Sequence, residues 1–304
     1  MKVHIWILFF LVLLSGCTMK KEEVLLDQQA SFEEAIYSDV SAQLPESEIV
    51  KQELFTMLIN PQDEDFVRVK DYIPEIITEQ RYSTPDNFTG QSIYDFEDVF
   101  LRYGTVMKLL VISEELKQQG LGIKIWDGFR PVSAQFKLWE VCPDDTYVAN
   151  PNKGFSNHSR GFAVDVTLVD SEGKELEMPT GFDDFSPLAD RDYSDCSETA
   201  AKNAVLLENV MQKHGFVGYA GEWWHFNDSC KYDVETCFDP ALITQKYTSE
   251  TTELLCSLWE PSSEILKIPQ GQPVTLLGYC EEYSMVEYWG YRGYVATEKL
   301  QDNA

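Results

Sequence analysis

The stretch that decides the fold of this chain reads Ser156-Asn157-His158-Ser159-Arg160-Gly161-Phe162-Ala163-Val164-Asp165. It is followed further along by Gly221-Glu222-Trp223-Trp224-His225. Together the two segments offer the imidazoles of His158 and His225 and the carboxylate of Asp165, a donor set that suits a catalytic zinc ion with its fourth position open. Histidine is scarce, with four in 304 residues. The sequence therefore predicts a zinc site here rather than isolated core histidines.

The hydrophobic pattern around Asp165 predicts a short strand. Apolar residues alternate from Ala163 to Leu168, so Asp165 faces away from the core that its apolar neighbours enter. Glu222 and His225 present a difficulty, because residues three apart in a regular strand point to opposite faces. A bulge or turn at Trp223-Trp224 is needed if both side chains are to reach one site.

These motifs resemble a known family. The pattern Ser-x-His-x-x-Gly-x-Ala-x-Asp followed by Glu-x-Trp-His is similar to that of the zinc D-alanyl-D-alanine dipeptidases, including those of vancomycin resistance. Matching segments upstream are Tyr82, Asn87-Phe88-Thr89-Gly90 and Trp126-Asp127-Gly128-Phe129-Arg130-Pro131. The resemblance runs from about Glu64 to Asn227, over half the chain, with all motifs in the family's order.

The resemblance implies roles for individual residues. One zinc ion per chain would be bound by His158, Asp165 and His225. Glu222 would act as general base and then acid, and Arg130 would stabilise the transition state. An acidic residue that binds the free amine of the substrate would correspond to Asp183, although the neighbouring Asp184 competes for that role.

Three functions remain open at this point. The first is hydrolysis of the D-alanyl-D-alanine dipeptide, or of a close peptidoglycan-derived peptide. The second is a D,D-carboxypeptidase that trims peptidoglycan stem peptides, because the ligand set would be the same. The third is a zinc-containing wall-binding lipoprotein without turnover, against which the presence of Glu222 and Arg130 speaks.

The amino terminus predicts export. Residues 1–17 combine Lys2 with an apolar run that suits the core of a signal peptide and is too short to span a bilayer. Leu14-Ser15-Gly16-Cys17 resembles a bacterial lipobox, in which Cys17 is lipidated, although an ordinary signal with a chance cysteine is the alternative. We expect a protein anchored to a bacterial membrane only by lipid and facing the cell wall or periplasm. Residues 18–63 are polar and acidic and predict a tether.

The net charge excludes some classes of binding partner, and the number of cysteines indicates disulfides. A formal net charge of −27 argues against nucleic acid and against adsorption to anionic lipid. Six cysteines remain after Cys17, an even number that favours disulfides in an exported chain. Six cysteines can be paired into disulfides in many ways, and the sequence does not decide between them. Proximity in the sequence favours the pairs Cys230 with Cys237, Cys256 with Cys280, and Cys142 with Cys196.

Two folded regions follow the tether. Residues 64–240 predict an α+β domain in which helices flank a small, mostly antiparallel sheet, with helices over residues 96–119, 131–141 and 197–213 and a strand over 123–126. Residues 248–302 contain short β runs at 255–258, 274–279, 285–288 and 293–296. This region resembles a bacterial SH3-like barrel, which implies binding of cell-wall peptides, and a stabilising appendage without a ligand is the alternative.

Overall fold

The computed structural model describes residues 61–145, 147–258 and 264–303. The predicted signal at 1–17, its Cys17, and all but the last three residues of the predicted tether at 18–63 lie outside the described residues. Pro61–Ala304 form one unit, and the fold below belongs to that unit. In the part of the chain that is described, every helix is too short or too polar to cross a bilayer.

The first half of this unit is built around a five-stranded sheet. Its strands are β2 Ile77–Thr78, β4 Leu121–Asp127, β5 Ala163–Asp170, β6 Phe216–Tyr219 and β7 Glu222–Asp228. A separate two-stranded sheet is formed by β1 Phe66–Arg68 and β3 Phe100–Arg102. The five-stranded sheet has the order β2-β4-β5-β7-β6, and β1 pairs with β3. Only β2 and β4 run parallel in the larger sheet. The expected α+β class with a small, mostly antiparallel sheet is confirmed.

Four α-helices accompany these strands: α1 Val69–Tyr72, α2 Tyr103–Lys117, α3 Val132–Val141 and α4 Glu198–Lys213. The predicted start of α4 is confirmed, since the Ser197 hydroxyl accepts a hydrogen bond from the Ala200 amide at 3.1 Å. Helix α2 starts seven residues later than the predicted 96. The main chain of Phe100–Arg102 pairs with β1 instead, so a tertiary strand contact overrides the helical periodicity of that segment.

The alternation predicted for β5 is confirmed. Val164, Val166 and Leu168 are fully buried in the main core. Strand β5 also pairs irregularly with β4, since Ile125 lies opposite Val166 while Asp127 lies opposite Asp165. One extra residue of β4 is therefore accommodated at this point, and Asp127 is brought beside Asp165 on the polar side of the sheet.

The second half is a seven-stranded antiparallel sheet. Its strands are β8 Thr244–Thr248, β9 Thr252–Leu255, β10 Glu264–Ile268, β11 Pro273–Cys280, β12 Tyr283–Tyr288, β13 Tyr291–Ala296 and β14 Leu300–Gln301. Three of the four predicted β runs fall inside β11, β12 and β13, whereas the run at 255–258 is strand only at Leu255. The order is β10-β9-β13-β12-β11-β8-β14. Among the described residues β10 and β14 are not paired with each other, so the expected closed SH3-like barrel is not found.

This sheet has a core of its own and also packs against the first half. Its own core includes Leu254, Leu276 and Val286. A second apolar cluster crosses the junction and contains Phe66, Phe129, Phe238 and Leu277. The side chain that follows Phe129 in the sequence is Arg130, so this cluster lies directly behind the segment that carries the predicted catalytic arginine.

One disulfide is formed among the described residues, between Cys237 and Cys280. The pairs predicted from sequence proximity, Cys230 with Cys237 and Cys256 with Cys280, are therefore wrong. The cause is a long-range contact: Phe238 forms a β-bridge with Gly278 of β11, which brings the chain after Asp228 alongside that strand. The remaining described cysteines are unbonded, so the third predicted pair is also absent: Cys142, Cys196, Cys230 and Cys256.

Candidate metal centre

The side chains of His158, Asp165 and His225 converge. Their ligand atoms all lie within 4.8 Å of one another. His158 comes from a short 3-10 helix just before β5, while Asp165 and His225 are partners in register across β5 and β7. His225 Nδ1 lies 3.0 Å from Asp165 Oδ1, and His158 Nε2 lies 3.5 Å from Asp165 Oδ2. The three predicted zinc ligands thus form one cluster.

The hydrogen bonds of the two imidazoles decide which nitrogens face this cluster. His158 Nδ1 lies 2.8 Å from the Gly128 carbonyl, so we assign its proton to Nδ1. His225 Nε2 lies 3.2 Å from Asn227 Oδ1, which also accepts from Asn157 Nδ2 at 2.9 Å. We assign the His225 proton to Nε2 in the same way, which leaves His158 Nε2 and His225 Nδ1, 3.2 Å apart, as the two ring nitrogens that can donate a lone pair to a metal ion. Carbonyl or amide partners behind ligating imidazoles are typical of metal sites, so the donor set fits zinc.

The charge of Asp165 is fixed by its surroundings. Burial by itself would raise the pKa of this carboxyl group, but His158 and His225 hold the pKa below its ordinary value. The side chain therefore stays ionised inside the protein. An ionised carboxylate is the form that binds a metal ion.

Glu222 reaches the same site through an irregular pairing of β6 with β7. Gly218 lies opposite Phe226, but the next residue, Tyr219, lies opposite Glu222. Three residues of β7, Trp223 to His225, therefore have no partner in β6, because the residues on either side of them pair with two consecutive residues of β6. This irregularity confirms the bulge expected at Trp223-Trp224, and its result is that Glu222 Oε2 lies 4.0 Å from His225 Nδ1.

The environment of Glu222 suits a group that exchanges protons. Its side chain is 20% exposed. Burial raises the pKa of the Glu222 carboxyl group above its ordinary value, and the neighbouring His225 only partly opposes the shift. A carboxyl group whose pKa is raised toward neutrality can accept a proton and then return it.

Arg130 is buried and held on all sides. Its Nε donates to the Tyr94 hydroxyl at 3.1 Å, Nη1 donates to Gln135 Oε1 at 3.1 Å, and Nη2 donates to Asp127 Oδ2 at 2.7 Å. The guanidinium group also lies over the ring of Tyr82, 5.1 Å from the centroid. These bonds use one hydrogen on each nitrogen, so each terminal nitrogen keeps a second N–H for another acceptor.

Asp127 has a role that the sequence did not reveal. It is fully buried, accepts from the Tyr94 hydroxyl at 2.8 Å, and lies 3.5 Å from His158 Nδ1. Asp127 thus connects the buried arginine with the first histidine. The available signal was an opposite charge three residues before Arg130 in the same motif, but a contact between them depends on the irregular end of β4.

Of the two neighbouring acidic candidates, Asp183 faces the site. Both its carboxylate oxygens accept from the Tyr82 hydroxyl, at 3.2 and 3.1 Å. Burial raises the pKa of Asp183 well above its ordinary value, and the negative charge of Asp165 adds to the shift. Its backbone is left-handed, with φ of 58°, a conformation that costs a non-glycine residue energy and recurs at functional sites. Asp184 is exposed and accepts from the Ser186 amide at 3.0 Å instead.

Fold and site together define an α+β protein with a candidate metal site of two histidines and one aspartate, flanked by a glutamate. The model of the peptidase M15 family, described as D-ala-D-ala dipeptidase, matches residues 62–239. The chain belongs to this family, as its motifs indicated.

Two relatives support this assignment, and one solved structure shows a weaker likeness. The D-alanyl-D-alanine dipeptidase of Escherichia coli (strain K12) is 38% identical over 153 residues, which cover 50% of this chain and 79% of that protein. The enzyme of the same name from Streptomyces coelicolor is 31% identical over 195 residues, 58% of this chain and 96% of that protein. A solved structure of VanYB in complex with D-Alanine-D-Alanine is 16% identical and covers 43% of this chain and 73% of that one, with a TM-score of 0.30.

Proposed function

We propose that this chain is a zinc-dependent D-alanyl-D-alanine dipeptidase. The observation that carries the proposal is the convergence of two imidazole nitrogens and the Asp165 carboxylate beside Glu222. Membership of the peptidase M15 family and the dipeptidase names of the relatives support it. His158, Asp165 and His225 would bind one zinc ion per chain.

The chain's own residues supply the proton transfer. A zinc ion at this site would polarise the scissile carbonyl and lower the pKa of water toward ~7. Glu222 is close enough to the ligand atoms to take the proton of the attacking water and then pass it to the leaving amine. Its raised pKa favours this task, because the carboxylate takes up a proton more readily than an exposed glutamate and can then donate it to the leaving amine.

Arg130 would stabilise the negative charge that develops on the carbonyl oxygen. Its two remaining N–H groups are available for an oxyanion, and its other three bonds fix the orientation of the plane. A fixed donor costs no reorganisation when the charge appears. Asp127 keeps this guanidinium in place and also limits rotation of the His158 ring, so it would position both groups.

Asp183 would bind the free amine of the dipeptide. Its side chain is largely buried beside the neutral hydroxyl of Tyr82, and a bound ammonium group would favour the ionised carboxylate that burial otherwise disfavours. A requirement for the free amine distinguishes a dipeptidase from a D,D-carboxypeptidase, whose substrate is blocked there by the stem peptide. This arrangement favours the dipeptide over the polymer.

The direct test offers the zinc-loaded protein D-Ala-D-Ala and a stem pentapeptide side by side, with release of D-alanine as the readout. We expect faster hydrolysis of the dipeptide and loss of activity on chelation. Preference for the pentapeptide would make the chain a carboxypeptidase, and binding of wall fragments without any turnover would make it a non-catalytic lipoprotein.

We also propose an anchoring and targeting role for the two ends of the chain. Residues 248–302 are proposed to be an SH3-like module that binds cell-wall peptides. The aromatic side chains of Tyr279 and Trp289 are 44% and 49% exposed there, which supports this role. Cys17 is proposed to carry the lipid that anchors an exported protein to a bacterial membrane. Release of a Cys17→Ser protein from membranes and loss of wall binding by Trp289→Ala would test both.

A further inference from the structure

We propose that Arg191 is a positioning residue of the catalytic centre, which holds the bulge of β7 that turns Glu222 and His225 toward the same metal. The proposal rests on the proposed function only for its activity readout. Arg191 lies outside every motif of the family resemblance and comes from the long loop before α4. It does not touch the ligand atoms. Its effect would be exerted through the main chain that carries them.

The guanidinium group of Arg191 joins the two strands where their pairing is irregular. Its Nε donates to the Tyr219 carbonyl of β6 at 2.8 Å. Its Nη2 donates to two carbonyls of β7, those of Trp223 at 3.0 Å and His225 at 2.8 Å. Both β7 carbonyls belong to the bulge, Trp223 to His225, whose residues have no partner in β6. The arginine thus supplies donors where the strand partner cannot.

The arginine is itself held in place. Its side chain is only 10% exposed, and its Cζ lies over the ring of Phe226 at 4.3 Å from the centroid. Nη1 faces Glu208 of α4 at 3.7 Å and the Tyr193 hydroxyl at 3.4 Å. The nearby carboxylate and the ring beneath the guanidinium plane fix the orientation of the group. The three carbonyl bonds are therefore made to a fixed group rather than to a mobile surface side chain.

Gly218 has no side chain, and the guanidinium group of Arg191 lies in the space that a side chain would fill. A Cβ atom at residue 218 would lie 2.3 Å from Arg191 Cζ and 2.5 Å from Arg191 Nε. The obstructing atoms all belong to the end of the Arg191 side chain and none to the backbone, so an alanine here would push the guanidinium group away from the carbonyls that it binds. We call the three hydrogen bonds from Arg191 to the main chain of β6 and β7 the clamp. Replacement of either Gly218 or Arg191 should remove it.

Loss of the clamp would let β7 relax toward regular pairing with β6. In a regular strand Glu222 and His225 point to opposite faces, because side chains alternate. The two groups would then no longer be held within 4.0 Å of each other. The expected consequences are weaker zinc binding, since a ligand is displaced, and slower turnover, since the general base is displaced.

The experiment compares Arg191→Ala, Arg191→Lys, Gly218→Ala and the double variant Arg191→Ala/Gly218→Ala with wild type. Zinc affinity is measured by competition with a chromophoric chelator, hydrogen exchange reports the β6 and β7 amides, and kcat and KM are measured on D-Ala-D-Ala. The matched control is Arg68→Ala, which also removes a paired guanidinium group but one bound to surface carboxylates.

We expect Arg191→Ala and Gly218→Ala each to lose zinc affinity or kcat by ~10–100-fold, the usual effect of removing a residue that orients a metal ligand. The double variant should lose no more than either single one, because both remove the same clamp. Lysine should restore little, since its single ammonium nitrogen cannot replace both Nε and Nη2, which bind carbonyls of two different strands. Exchange should quicken in β6 and β7 but not in β4, and Arg68→Ala should match wild type.

Wild-type zinc affinity, kcat and exchange in either single variant would overturn the proposal, as would full restoration by lysine or a rise in KM alone. If Arg191→Ala fails to fold, Gly218→Ala decides, because it displaces only the guanidinium group. An inactive wild-type protein would count against the proposed function, whereas zinc affinity and hydrogen exchange would still decide the role of Arg191.

Discussion

Asp165 and His225 are cross-strand partners: they lie opposite each other in β5 and β7, and their side chains approach to 3.0 Å on the polar face of the sheet. The pairing of β5 with β7 holds the carboxylate and the imidazole opposite each other, and on the β6 side the His225 carbonyl is bound by Arg191 instead of by a strand. The third candidate ligand, His158, is oriented by the Gly128 carbonyl.

Removal of any one candidate ligand should remove the metal. We expect His225→Ala, His158→Ala and Asp165→Ala to lose zinc and activity together, because a site with two protein ligands left binds zinc weakly. Zinc content per chain, measured after dialysis, checks this. His214→Ala is the control, since His214 pairs with Glu115 on the helices rather than at the site. Full zinc occupancy in His225→Ala would show that the ligands are misassigned.

Glu222 should be needed for turnover but not for the metal. Glu222→Gln keeps the size of the side chain and removes its ability to accept a proton. We expect the variant to bind zinc and to unfold at the same temperature as wild type, with kcat lower by ~10²–10⁴-fold, the usual contribution of general acid–base catalysis. Steady-state kinetics at equal zinc content measure it. Turnover at the wild-type rate would rule out the assigned mechanism.

The pair formed by Arg130 and Asp127 should matter for both stability and rate. Both side chains are buried, so Asp127→Asn leaves a guanidinium group without its compensating charge. Breaking such a pair usually costs ~3–5 kcal/mol of the free energy of unfolding. Urea denaturation measures this cost. Replacement of Asp86, an exposed partner of Arg81, by asparagine is the control and should cost at most ~1 kcal/mol. Equal effects of the two substitutions would contradict this account of Asp127.

The apolar cluster at the junction predicts that the second half stabilises the first. Leu277 of β11 is 4% exposed and packs with Phe66, Phe129 and Phe238. We expect Leu277→Ala to cost ~2–5 kcal/mol, as for other buried leucines. Leu188→Ala is the control, because Leu188 is 44% exposed. Because Phe129 precedes Arg130, truncation after Tyr247 should also lower kcat on the free dipeptide, and unchanged kinetics and stability of the truncated protein would contradict the prediction.

Much of this site could be predicted from local sequence, and the exceptions share a cause. The alternation in β5 placed Asp165 opposite the core, and the three-residue spacing of Glu222 and His225 required a bulge. Local spacing could not show that Arg191 holds that bulge, because the contact arises only when the loop before α4 folds over β7. The Cys237–Cys280 disulfide and the strand at Phe100–Arg102 were missed for the same reason, since each depends on a partner distant in the sequence.

The most direct test of the central claim compares kcat/KM for D-Ala-D-Ala and for its amine-acetylated form, using wild type and Asp183→Asn. Asp183 is placed to pair with the free amine, so acetylation should cost wild type ~1.5–3 kcal/mol, the scale of a lost hydrogen bond to a charged group. Asp183→Asn should lose most of this discrimination. A wild-type enzyme that prefers the acetylated substrate, or an Asp183→Asn enzyme that discriminates as well as wild type, would contradict the account.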